Sequence, residues 1–150
     1  MKAFKYTLPL LIGFVFFACN NDDDGASPDN PGAQPIATEE VTGNWEVTLF
    51  RDDNEDETDD FAGLTFEFQE GGDLIISDGN QSTTARWSIT NSNRRVEIDL
   101  DDDDLTVFGN RDELEDLDDD WIVVEKSDNL LYLREDDDDS DRDEVRFERI

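Results

Sequence analysis

The sequence predicts an all-β domain: an antiparallel meander of about eight strands closing into a β-barrel, with one short helix near 111–118. Two observations carry this. Apolar and polar residues alternate with a period of two in segment after segment, the mark of strands with one buried face. Short clusters of Gly, Asn, Asp and Ser separate the segments, and these residues turn hairpins. A third consideration closes the sheet. An open meander leaves unpaired edges, and joining them into a barrel removes both. About eight strands enclose an interior just wide enough for side chains or for one small ligand.

The first strand runs from Asn44 to Arg51, with Trp45, Val47 and Leu49 on one face and Glu46 and Thr48 on the other. An acidic loop, Asp52 to Asp60, follows. Leu64, Phe66 and Phe68 alternate with polar residues in the second strand, and Gly71-Gly72 turns it. Leu74 and Ile76 lead the third, which Asp78-Gly79-Asn80 turns. Ala85, Trp87 and Ile89 are the inward set of the fourth, and Val96, Ile98 and Leu100 that of the fifth. Asp101 to Asp104 break the pattern. Leu105 to Phe108 reads as a short strand or an ordered loop. Asn110 or Asp112 is placed to cap a helix of one or two turns through Leu114 and Leu117. Trp121 to Lys126 is the sixth strand, and Ser127-Asp128-Asn129 its hairpin turn. Leu131 and Leu133 lie in the seventh. After the acidic stretch Asp136 to Asp143, the eighth carries Val145, Phe147 and Arg149.

Ahead of this domain the composition changes twice. Lys2 and Lys5 give a basic start, and Leu8 to Phe17 is an almost unbroken apolar run. That run is too short to span a bilayer, which takes about 20 residues. With a small residue, Ala18, before Cys19, it reads as a secretory signal ending at a lipid-attachment site. Residues 20–40 hold Gly25, Pro28, Pro31, Gly32 and Pro35 among polar residues and show no apolar period. They read as a tether, which as a flexible coil reaches on the order of 25 Å. The predicted organisation is a signal over 1–18, a lipidated tether over 19–40 and the barrel over 41–150.

Charge and composition exclude much. The 150 residues carry 12 basic and 42 acidic side chains, a formal charge of −30. Nucleic acid is no partner for such a surface, because phosphates are repelled. Anionic headgroups are repelled as well, so membrane contact falls to acyl chains on Cys19. One cysteine, used for lipid, leaves no disulfide and no catalytic thiol. Without histidine there is no Ser-His or Cys-His nucleophile and no imidazole metal ligand. Beyond the signal the chain has nine arginines and one lysine, Lys126, against many aspartates. That bias suits a salt-rich medium; it also serves ordinary solubility.

The acidic loops invite a calcium reading. Asp52 to Glu57 alternates oxygen ligands, but Glu57 stands where an EF-hand loop has glycine and Gly63 where it has its closing glutamate. Asp137, Asp139 and Asp141 alternate too, with Arg142 in the glycine position. Neither is an EF-hand, so no metal site or cofactor is expected and cations are held loosely. Trp45, Phe66, Phe68, Trp87 and Trp121 point inward, to line a ligand pocket or to fill the core.

Two resemblances add to this. Phe16-Phe17-Ala18-Cys19 resembles the lipobox of bacterial lipoproteins, with Phe16 where an aliphatic residue is usual. The following Asp22-Asp23-Asp24 is similar to the surface-export signal of lipoproteins in the Bacteroidota. Gly43-Asn44-Trp45, opening the first strand, resembles the Gly-x-Trp start of lipocalin-like barrels carried by such lipoproteins. The hairpin from Trp121 to Asp128 and the ending Val145 to Ile150 are similar to that group as well. The resemblance implies an outer-membrane protein facing the cell exterior. It also implies Trp45 at the closed end of the barrel, with Arg149 lying across it. The expected function is to bind a small apolar ligand or a protein partner, with no enzyme activity. An acidic structural envelope protein with a filled core is the alternative. A carboxylate-dependent hydrolase comes third.

Overall fold

The computed structural model describes residues 33–90, 92–100, 108, 112–135 and 142–150. Cys19, the Asp22-Asp23-Asp24 cluster, Asn110, most of the stretch from Asp101 to Phe108 and most of that from Asp136 to Asp143 lie outside the described residues. The fold is a closed antiparallel barrel of eight strands with one extra strand. The strands are β1 Gly43–Asp52, β2 Glu55–Asp56, β3 Thr65–Phe68, β4 Asp73–Ser77, β5 Ser82–Thr90, β6 Arg95–Asp99, β7 Asp120–Ser127, β8 Leu130–Glu135 and β9 Glu144–Arg149. Each of β3 to β9 pairs with its sequence neighbour, and β1 pairs with both β3 and β9 to close the ring.

The extra strand is β2. It folds back on the end of β1, pairing Asp52 with Glu55. Asp53 and Asn54 form the two-residue loop at φ +47° and +68°. A hairpin of this kind needs positive φ at both loop positions, which Asp and Asn tolerate. The sequence reading took this segment as acidic loop, because its charges hide the turn signal.

Leu49 is corrected. The simple alternation places it inward, yet Leu49 is half-buried and Phe50 is fully buried. The pairing of β1 with β9 slips between Val47 and Leu49, a β-bulge that turns the rest of the strand over. A second slip, between Val123 and Glu125, does the same to β7. The short helix expected near 111–118 is a 3-10 helix, Asp112–Leu117.

The domain also starts earlier than Val41. Gln34 donates its backbone N–H to Val123 O at 2.8 Å, and Ile36 donates to Asn93 O at 2.7 Å. The Gln34 side chain adds a bond to Val124 O. This strap runs ahead of the start of β6, where β7 continues past its pairing with β6, and it covers β7's open edge. A one-turn helix, α1 Thr38–Val41, follows, with the Ala37 N–H held by the Glu40 carboxylate. Ile36 and Val41 are buried. One buried aliphatic at each end of a polar segment gives no period, so the composition alone reads as tether.

The core fills the barrel. Phe50, Phe61, Phe66, Phe68 and Phe147 are all 2% exposed or less, and their rings meet in a chain. Phe50 meets Phe61 at 4.5 Å between centroids, Phe61 meets Phe66 at 6.5 Å, and Phe147 stands edge-on to both Phe66 and Phe68. These separations are those at which aromatic pairs attract.

Candidate functional site

The register gives the barrel two ends. The closed end gathers the start of β1, the Gly71-Gly72 turn, the turn at Ser92-Asn93, the Ser127–Asn129 turn and the C-terminus. The other end, the mouth, gathers the β1–β2 hairpin, the turn at Gly79, the 3-10 helix Asp112–Leu117 and the approach to β9.

At the closed end, Trp45 is fully buried and its indole N–H donates to Val41 O at 2.7 Å. Arg149 lies over it, with the guanidinium carbon 4.2 Å from the ring centroid. The strand pairing sets Trp45 opposite Arg149. The arginine's donors reach three carbonyls in two segments: Nε to Asp128 O at 2.7 Å, one terminal nitrogen to Thr42 O at 2.8 Å and the other to Glu40 O at 3.1 Å. Gly43 makes room for this. Its φ is +138°, and a Cβ there would fall on the guanidinium. Beside the clamp, Lys126 pairs with Glu40. The lysine's hydrogen bond, joined by the Ala37 N–H, holds the Glu40 carboxyl below its ordinary range.

At the mouth the arrangement repeats. Trp121 is fully buried, and its indole N–H donates to Leu117 O at 3.0 Å. Leu117 and Leu114 of the 3-10 helix are buried in the core. Carboxylates crowd the rim. Oxygens of Asp52, Glu57 and Asp116 lie within 4.8 Å of one another, as do those of Asp52, Asp53 and Asp143. Asp143 accepts the Asp53 N–H, which ties the β1–β2 hairpin to the start of β9. Burial, with the neighbouring Asp52 and Asp53 charges opposing that hydrogen bond, pushes the Asp143 carboxyl up to about 6. Burial and the Asp119 and Asp143 charges raise Glu135 as well. Such groupings hold a hard cation weakly at best unless more oxygens join them. The sequence reading missed these sets because their members come from loops far apart in the chain.

The five inward aromatics are core. Trp45, Phe66, Phe68, Trp87 and Trp121 are between 0% and 5% exposed. Phe68 stands edge-on to Trp87 at 5.5 Å, and the Trp87 indole N–H donates to Gln69 O. Trp45 and Trp121 sit at opposite ends and do not form one pocket wall. Arg146, on the outer face, lies 5.3 Å from the Tyr132 ring centroid, and its Nε is buried without a hydrogen-bond partner. Burial, then the hydrogen bond to Glu144, pushes the Tyr132 hydroxyl up to about 12.

The outer wall carries a cleft of about 270 Å³, lined by Gly71, Gly72, Arg86, Trp87, Ser88, Glu97 and Asp99. Arg86 faces Asp99 and Ser88 faces Glu97 across the β5–β6 pair, and the Ser88 hydroxyl donates to Glu97 at 2.8 Å. The cleft lies just below the roughly 300–1,000 Å³ of drug-sized sites. Glu97 and Asp99 are two carboxylates in one cleft, the feature a hydrolase would need. Both are exposed.

No protein-family model matches the chain, and no curated protein is similar to it. Among solved structures, a DUF4847 family protein from Bacteroides vulgatus matches with a TM-score of 0.54 over 76% of this chain and 98% of that one. The two are 17% identical, so what this chain shares with the Bacteroides protein is the barrel fold.

Proposed function

We propose that the protein is a bacterial lipoprotein, anchored in the outer membrane through acyl chains on Cys19 and facing the cell exterior. Its barrel acts as an interaction module through its outer surface, with no small apolar ligand inside. The packed interior carries this reading: Trp45, Phe66, Phe68 and Trp121 are fully buried against the protein's own side chains. The fold shared with a Bacteroides protein supports the source. The cleft at Arg86, Ser88, Glu97 and Asp99 favours an interaction module over a purely structural envelope protein.

Native mass spectrometry of protein extracted from its source cells tests the interior. The reading expects the mass of the lipidated chain and nothing more. A retained apolar molecule overturns it. Fractionation of a Cys19→Ser variant tests the anchor. The variant is expected in the soluble fraction or as unprocessed precursor. Mature variant that still fractionates with the outer membrane after a salt wash refutes the lipid anchor. Deleting Asp22-Asp23-Asp24 is expected to hide the domain from external protease while leaving it membrane-bound.

A further inference from the structure

We infer that the outer wall of the barrel holds a site for a small carboxylate ligand, gripped by Arg134 and Arg146. The inference goes beyond the outer-surface reading, lies away from the cleft on β5 and β6, and needs no lipid anchor.

The sheet brings the two arginines together. Leu131, Leu133, Val145 and Phe147 face the core, so the residues that alternate with them face out. The register sets Tyr132 opposite Arg146 and Arg134 opposite Glu144. Arg134 and Arg146 are thus diagonal neighbours on one face, a separation of about 7–8 Å that long side chains span. Tyr132 and Glu144 fill the other two corners of this square.

Charge makes the pair unusual. With 12 basic and 42 acidic side chains, an arginine here has acids to spare. Arg51, Arg86, Arg95 and Lys126 each pair with one. Among the described residues, neither Arg134 nor Arg146 does. Their neighbour Glu144 is already taken, by Arg51 at 3.5 Å and by the Tyr132 hydroxyl. Of the flanking acids, Glu148 accepts the Thr48 hydroxyl, and Glu125 stands exposed on the far side of Tyr132. Each arginine also keeps a buried Nε with no hydrogen-bond partner. A buried donor without an acceptor costs stability, and an acceptor that draws the guanidinium outward recovers it.

The chemistry of the occupant follows. A carboxylate is planar and presents two oxygens, the match for a guanidinium fork. It also carries a single charge. The field of a −30 chain repels an incoming anion in proportion to the anion's charge, so phosphate is held off more strongly. At about 0.15 M salt that field is screened beyond about 8 Å, which leaves the local guanidiniums to act. Leu49, half-buried and opposite Arg146, gives the ligand's carbon body an apolar neighbour.

NMR of the arginine Nε–H signals of the full chain, titrated with sodium benzoate at about 0.15 M ionic strength, tests this. The Arg134 and Arg146 signals are expected to move together and saturate, with one Kd on the order of 1 mM. The Arg149 signal, whose Nε is bonded to Asp128 O, is expected to stay in place. Arg134→Gln and Arg146→Gln should each weaken binding about tenfold or more, as loss of a charged hydrogen bond requires. Inorganic phosphate should bind more weakly than benzoate. Signals that stay still, that drift without saturating, or that move alike for all the arginines would overturn the site. Equal or tighter binding of phosphate would overturn the carboxylate assignment. Replacing Asp137, Asp138 and Asp139 by asparagine should leave both signals unmoved in the absence of benzoate. If it shifts them, the chain's own acidic stretch is what the arginines hold, and the inference fails.

Discussion

Replacing Arg149 by alanine should cost about 3.5–4.5 kcal/mol of stability, far more than replacing Arg146. The figure follows from what each side chain touches. Arg149 lies 4.2 Å from the Trp45 ring centroid, in a partly desolvated place, and such a pair contributes about 1 kcal/mol. Its part-buried bond to Thr42 O contributes about 1.5 kcal/mol, since the donor is charged. The bonds to Asp128 O and Glu40 O are exposed and contribute about 0.5–1 kcal/mol each. Arg146 has one aromatic contact at 5.3 Å and a buried Nε with no partner, so its loss should cost about 0.5–1 kcal/mol. At a urea m-value of about 1–2 kcal/mol/M, the difference separates the two midpoints by more than 1 M. Arg149→Lys keeps the charge but not the fork, and it should fall nearer to alanine than to arginine. A double-mutant cycle with Trp45→Phe completes the test. The Arg149→Ala penalty should shrink by about 0.5–1 kcal/mol in that background, because the two residues touch. If both arginine variants unfold at one midpoint, or if the cycle shows no coupling, the clamp is not what holds the closed end.

Other perturbations should act in directions the structure sets. Gly43→Ala should cost at least about 2 kcal/mol in a thermal or urea melt, because φ +138° strains an L-residue and its methyl displaces Arg149. Asp143→Asn should stabilise the domain at pH 7.5. Its folded carboxyl is raised to about 6, so the folded state holds the proton more tightly and the native charge is a burden above pH 6 that vanishes below the ordinary range near 3.8. The group is only half-buried, so solvent screens it in part and the gain should be on the order of 1 kcal/mol, about 3–6 °C in Tm, and absent at pH 4. A gain that persists at pH 4 would point away from the proton. Sodium chloride from about 0.1 to 1 M should raise the Tm of the domain as screening relieves its −30 charge. A flat or falling midpoint would refute that account.

Most strands were legible because they keep a period of two, and their turn residues are the ones that tolerate tight loops. Phe66 and Phe68, Leu74 and Ile76, and Val96 and Ile98 all face inward as the alternation requires. Leu49 fails because a bulge is a property of the pairing with β9, which no local pattern records. The strap fails for another reason. Ile36 and Val41 sit in a polar, proline-bearing segment, and only the gap beside β7 makes burying them worthwhile. The aromatics were legible as an inward set, and size alone left core and pocket open. The carboxylate groupings at the mouth were invisible because Asp52, Asp116 and Asp143 are brought together by topology. Phe61 had no strand to index it, yet it is buried.

The repeated tryptophan bond bears on how the chain can change length. Trp45 reaches back four residues to Val41, and Trp121 reaches back four to Leu117. In each case the stopper is indexed from the strand that follows it, through the third or second residue of that strand. The first stopper is also tied from ahead, through Gln34 and Ile36. Residues can therefore be added ahead of Gln34 without shifting this stopper in its seat. That point is a natural joint for insertion, the place where a related chain can vary in length or a tag can be spliced in while the barrel stays corked.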